Sequence, residues 1–230
     1  MLIKRRYPSH LQRLPIFQRV WFLPLFSLVA ALCWVVTAAS QDDKKTNGHP
    51  SRQQFTLSVE MPGNTSLRAN ALYIPRPGQR ACPYQNPSLQ FESPASNVTN
   101  HSDFSIPLSY ELPDCHLDLS TVDFETLAFH GTDHRQRSQT NSGAIAIRDH
   151  LHKGVPGFPA SGEKTYRALC DWQNRVANGT VTPEQMLTCY AADPQWQPLG
   201  DKDHPHHVGG ALSRQELDGK RIRLKFKKNA

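Results

Sequence analysis

From Val20 to Ala39 the chain runs twenty residues, VWFLPLFSLVAALCWVVTAA, without a charge, preceded by Lys4, Arg5, Arg6, Arg13 and Arg19 with no acid among them. An apolar run with a basic flank is an export signal whose basic end stays in the cytoplasm. At ~1.5 Å per residue the run spans ~30 Å as a helix, enough to cross a hydrocarbon core. That length favours an uncleaved transmembrane anchor. Small residues in Thr37-Ala38-Ala39 and Ala38-Ala39-Ser40, together with a helix-breaking Pro24, leave a cleaved signal peptide as the alternative. Cys33 follows Leu32 inside the apolar run, where a lipidation site requires a small residue. The expected organisation is therefore a basic cytoplasmic region (1–19), an anchor or signal helix (20–39), a polar tether (40–54) and an exported domain (55–230). Such a chain faces the periplasm from the inner membrane, or is released there if the leader is cut.

Export changes how the charge reads. Five of the 26 basic residues and none of the 20 acidic ones lie before residue 41, so the exported part is nearly neutral. The pI of about 9.2 belongs mostly to the leader. Nucleic-acid binding, which needs a basic face on the folded domain, is not expected.

The exported part alternates. In FTLSVEM, Phe55, Leu57, Val59 and Met61 oppose Thr56, Ser58 and Glu60, the period of two of a half-buried strand. Leu72-Tyr73-Ile74, Leu89-Gln90-Phe91, the run from Phe104 to Leu112, and Gly143 to Ile147 read likewise. Pro107 predicts an edge or bulge. After Cys115, Leu117 and Leu119 the alternation slips near Ser120 before resuming at Val122 and Phe124, which predicts a bulge or turn. Short strands separated by Pro, Gly and Asn predict a mainly β fold, a small sandwich or barrel. In the last segment Ile222, Leu224 and Phe226 face one way while Arg221, Arg223, Lys225 and Lys227 face the other. That basic face can meet an acidic partner or anionic headgroups, or it can be the protected side of an edge strand.

Residues 161–192 break the β pattern. Tyr166, Leu169, Cys170, Gln173 and Val176 share one helical face that closes at Asn178-Gly179, and Thr182-Pro183-Glu184-Gln185 reads as a capping box. The expectation is an inserted antiparallel helical hairpin. Cys170 and Cys189 then stand at equal heights above the turn, which predicts a Cys170–Cys189 disulfide and leaves Cys82 for Cys115. Four cysteines outside the apolar run allow three pairings, and an oxidising compartment favours structural bridges. No CxxC supports a redox or zinc site.

Histidines supply the only clustered candidates for chemistry. His130 and His134 flank Asp133, and His150 and His152 follow a strand. Asp201, Asp203, His204, His206 and His207 form the best candidate metal-ligand set, since imidazole and carboxylate suit zinc, copper or nickel. No HExxH, GxSxG or Walker pattern accompanies them, and Asp123 and Glu125 read as a solvent-facing pair on a strand, so no cofactor is expected. Trp172 and Trp196 are expected to pack together or against the sheets. Sequons stand at Asn64, Asn97, Asn100 and Asn178.

The stretches IPLSYELPDCHLDLSTVDFETLAFHG and CYAADPQWQP resemble uncharacterised exported β-proteins of Gram-negative bacteria, some encoded beside type VI secretion effectors. The resemblance implies a periplasmic, non-enzymatic protein that binds another protein, an immunity or accessory role. An exported hydrolase or metal-binding protein built on the histidine clusters is the competing expectation.

Overall fold

The structure, a computed structural model, describes residues 49–230 except 79–81, 83–87, 114, 131–135, 178–179, 202–203 and 230, and the side chains at 130, 136–137, 175–177 and 180–184. The expected anchor or signal helix at 20–39, its basic flank and the first part of the expected tether lie outside the described residues. Among those described, no helix is long and apolar enough to cross a membrane.

The strands, in chain order, are β1 (His49–Pro50), β2 (Gln54–Met61), β3 (Thr65–Pro75), β4 (Ser88–Glu92), β5 (Asn100–Pro107), β6 (Ser109–Leu112), β7 (Cys115–His130), β8 (Gln136–Arg148), β9 (Glu163–Ala177), β10 (Thr180–Ala192), β11 (Val208–Ser213) and β12 (Arg221–Lys228). They form two sheets. Sheet A has seven strands: β7 pairs with β3 along one edge and with β6 and then β8 along the other. It is extended by β1, β4 and β11. Sheet B has five, in the order β10-β9-β12-β2-β5.

Alternation explains the shared core. Phe55, Leu57, Val59 and Met61 of β2 point inward with Ile222, Leu224 and Phe226 of β12, and they meet Leu67, Ala69, Ala71, Tyr73, Leu117, Leu119, Val122, Phe124, Ile145 and Ile147 from sheet A. Each large apolar side chain fully withdrawn from water contributes roughly 1.5–3 kcal/mol. Tyr73 is buried with its hydroxyl donating to the Pro107 carbonyl at 2.9 Å, and burial drives its pKa far up. The sheets lean together where β10 meets β8. The Leu187 amide donates to Ser138 Oγ at 3.0 Å, and Thr140 Oγ1 donates to the Leu187 carbonyl at 2.6 Å.

Two expected irregularities have clear causes. The β3–β7 register jumps from Leu72↔Thr121 to Tyr73↔Leu119, leaving Ser120 as the extra residue of a bulge that restores inward alternation. Pro107 is the last residue of β5, the edge strand of sheet B, at the point where the chain leaves for β6 in sheet A. The tether is shorter than expected, because His49 and Pro50 pair with β6 and the Ser51 amide donates to the Ser109 carbonyl at 2.9 Å.

The inserted helical hairpin is corrected: residues 163–177 and 180–192 are strands forming a β-hairpin, and no α-helix occurs among the described residues. Tyr166, Ala168, Cys170 and Trp172 alternate just as well as a 3.6 period collects Tyr166, Leu169 and Cys170. What decides between them is β12, which offers β9 a parallel partner from Glu163 to Cys170. The Thr182-Pro183 signal falls where the β9–β10 register is interrupted between Val181 and Gln185, a place in an edge strand that tolerates a residue without N–H.

Disulfides join Cys170 to Cys189 and Cys82 to Cys115. Cys170 and Cys189 are directly opposed in the hairpin, and the Asn229 amide donates to the Cys170 carbonyl. That carbonyl points at β12 and away from β10, so the pair occupies a non-hydrogen-bonded site, where antiparallel strands come closest. Paired cysteines point to an oxidising, extracytoplasmic compartment. Loop-closure entropy predicts that Cys170→Ala with Cys189→Ala, closing a 19-residue separation, lowers unfolding free energy by about 3 kcal/mol. Urea melts of oxidised wild type and variant measure it, and a loss below ~1 kcal/mol refutes it.

Candidate functional site

Because inward residues of sheet B alternate with outward ones, its outer face is set by register. Asp103 of β5 stands beside Ser58 of β2, and Ser58 beside Arg223 of β12. Along β9 the outward residues include Glu163, Arg167, Leu169, Asp171 and Gln173, and across from them on β10 lie Tyr190 and Thr188.

The four basic residues of the final strand are brought together here, but on the central strand of the sheet. The edge-strand reading of β12 is therefore corrected: it lies between β2 and β9, parallel to both. Nor is the face wholly basic, because the flanking strands carry acids. Arg221 Nη1 lies 3.1 Å from Asp103 Oδ2 and donates to Ser58 Oγ, Arg223 Nε lies 2.8 Å from Glu163 Oε1, and Lys225 Nζ lies 3.7 Å from Glu60 Oε2. Lys227 Nζ sits 5.5 Å from the centroid of the Trp196 ring, an arrangement that attracts a cation to the ring face. Hydrogen bonds from Ser58 and then Arg221 hold the Asp103 carboxyl below its ordinary pKa. Exposed pairs of this kind are worth ~0–1 kcal/mol each, so an incoming charged surface can exchange with them at little cost.

Two concavities open on this face. One, of about 220 Å³, lies over β5, β2 and β12, lined by Ser58, Glu60, His101, Asp103, Arg221 and Arg223 among others. A larger one, of about 600 Å³, lies over β9 and β10, walled by Pro198, Gly200, Asp201 and Pro205. Its floor carries a hydrogen-bonded chain: Gln173 Nε2 donates to Tyr190 Oη at 3.3 Å, and Tyr190 Oη donates to Asp171 Oδ2 at 2.6 Å. Burial first, then the hydrogen bond to Asp171, pushes the Tyr190 phenol up to about 12, so it remains protonated.

The wall is tied down by main-chain bonds. Asp193 Oδ1 accepts from the amides of Gln195 and Gln197, turning the chain through Trp196 at φ 64°. The Leu199 amide then donates to the Ala191 carbonyl, the Ala191 amide to the His206 carbonyl, and the His206 amide to the Leu199 carbonyl, at 2.8, 2.8 and 3.0 Å. This loop covers the exposed edge of β10 at its C-terminal end.

The histidine expectations fare differently. Among the described residues no group of three His, Cys, Asp or Glu side chains is placed to hold a metal ion. Asp201, His204, His206 and His207 belong to the wall loop, whose geometry is spent on main-chain pairing, and Asp203 lies outside the described residues. Asp133 and His134 also lie outside, and the His130 side chain is not described. His150 and His152 lie in the stretch after β8, where Arg214 engages Asp149 at 2.8 Å. The two tryptophans do not share one environment: Trp172 packs against the core, whereas Trp196 lies against Lys227.

Asp171, Gln173, Thr188 and Tyr190 were hidden by the helical reading. A period-two reading of ALCDWQN, with Cys170 and Trp172 inward, places Asp171 and Gln173 outward together.

No protein-family model, curated protein or solved structure matches this chain.

Proposed function

We propose that the chain is an exported binding protein, without catalysis of its own, that presents the outer face of sheet B to another protein in the periplasm, from a membrane anchor or free of one. This is an immunity or accessory role. The observation that carries the reading is the make-up of that face: exchangeable ion pairs at its centre, a preformed concavity at one side, and Tyr190 and Trp196 beside them. Exposed pairs set register and steer encounter with a charged partner, while aromatic residues at a rigid cavity supply contact area at low entropic cost. The four disulfide-bonded cysteines keep the framework rigid outside the cytoplasm, so little ordering is needed on binding.

The test is capture from the native envelope with the C-terminally tagged full chain, compared with Arg223→Glu/Lys225→Glu. A partner recovered in near-equal amount by wild type and lost with the variant, at an unchanged thermal midpoint, is the expected result. Equal recovery by both, or no partner with wild type, overturns the proposal.

A further inference from the structure

The cavity over β9 and β10 has a chemistry of its own. Its floor and wall present more hydrogen-bond acceptors than donors. The Tyr190 hydroxyl proton is used on Asp171 Oδ2, and one Gln173 N–H is used on Tyr190 Oη. Among the described residues these bonds leave over Asp171 Oδ1, the Gln173 carbonyl oxygen and the Asp201 carboxylate. Against these stand the second Gln173 N–H and the Thr188 hydroxyl. A ligand that fills such a site is favoured when it brings more donors than acceptors.

Shape and charge narrow the class. The cavity holds about 600 Å³, enough for a long side chain rather than an isolated ion, and it opens on the face already assigned to a protein partner. Two carboxylates favour a cation, and the Tyr190 ring and the two prolines supply flat apolar surface for its stem or plane. Guanidinium is the cation with several donors, no acceptor and a planar body, and it pairs with carboxylates through parallel N–H···O bonds. The main-chain bonding of the 193–206 loop means the wall stands before the ligand arrives. The four cations of the final strand are engaged by Asp103, Glu163, Glu60 and Trp196 and so do not fill it.

We infer that this cavity receives an arginine side chain presented by the partner, with Asp171 and Asp201 as the carboxylates that hold its guanidinium. The inference deepens the proposed function and rests on it for the source of the arginine.

The probe is Nα-acetyl-arginine methylamide, titrated into the full chain in detergent and followed by NMR, with the citrulline compound as neutral control of the same shape. Shifts at the amides of Gln173, Thr188 and Tyr190 with arginine, absent with citrulline, are expected. Asp171→Asn keeps an acceptor for the Tyr190 hydroxyl and should weaken binding roughly ten-fold or more. Asp201→Asn should do the same, with thermal midpoints unchanged. Equal shifts with citrulline, no shifts at these amides, or binding indifferent to both substitutions overturn the inference. The two readings fail separately. If Asp171→Asn captures the envelope partner as well as wild type does, the cavity assignment falls and the face survives. If the arginine compound binds but no protein is captured, the face falls instead.

Discussion

A chain ended after Lys220 is expected to show no cooperative unfolding transition and no near-ultraviolet circular dichroism. The last strand is not an appendage. It lies between β2 and β9, pairing from Arg221 to Lys225 with the first and from Arg221 to Lys228 with the second. It also places Ile222, Leu224 and Phe226 in the core, at 0%, 0% and 5% exposure. At roughly 1.5–3 kcal/mol for each such side chain, their loss alone approaches the ~5–15 kcal/mol by which domains are stable. Removal also leaves the facing backbone groups of β2 and β9 without strand partners. The first long strand and the last therefore close the fold on one another, β2 and β12 lying side by side. A truncated chain that unfolds cooperatively in urea, within ~1 kcal/mol of wild type, would show that β12 is dispensable and this account wrong.

Gly209→Ala should cost more than about 4 kcal/mol, in the range reserved for a backbone collision in a packed element. Residues 208–213 of β11 run parallel to 143–148 of β8, and the first two steps of the ladder use glycine on alternate sides. A methyl at Gly209 would stand 1.9 Å from the Ala144 carbonyl oxygen, and one at Gly143 the same distance from that of Val208. Both residues also hold positive φ, +121° and +150°, which L-residues with a Cβ rarely adopt. Neither neighbour is a flexible side-chain tip, so the strands must part, exposing Val208 and Leu212, each 1% exposed. Gly154→Ala is the internal control. Its φ is +93° with nothing within 4 Å of the added carbon, so it should pay only the conformational term, about 1–2 kcal/mol. Denaturant melts of the two variants separate collision from strain, and equal losses would refute the close approach.

Legibility followed the physics of each element. Phe55 to Met61, Gly143 to Ile147 and the last strand could be read from alternation alone, because one face of each meets the core and the other meets water. The slip at Ser120 was visible for the same reason: an extra residue in a bulge shifts the pattern by one. Residues 163–192 were not legible. Apolar residues there fit both periods, and the Thr182 to Gln185 stretch carries a helix-start signal that a strand irregularity can also hold. Local preference was nearly balanced, so the outcome passed to partners far away in sequence, as is usual for strands. Cys189 is the disulfide partner of Cys170 in a hairpin of strands, as it would be in one of helices. An antiparallel connection of either type brings Cys170 and Cys189 level, so the pairing survives the correction.

The candidate site was hidden by the same ambiguity. Asp171 and Gln173 become neighbours of Tyr190 only when β9 and β10 are strands, and only the 193–206 loop turns their shared face into a cavity. Likewise, Arg221, Arg223, Lys225 and Lys227 form a basic stripe in the sequence, whereas Asp103, Glu60 and Glu163 reach it from strands paired across long separations. The sequence by itself determined which side of most strands is apolar, and that four cysteines lie beyond the apolar run at 20–39, because periodicity and composition are local. The neighbours of each strand, the central place of β12 and the mixed charge of its outer face were decided by the tertiary structure, because pairing is a contest among all available edges that no single segment settles.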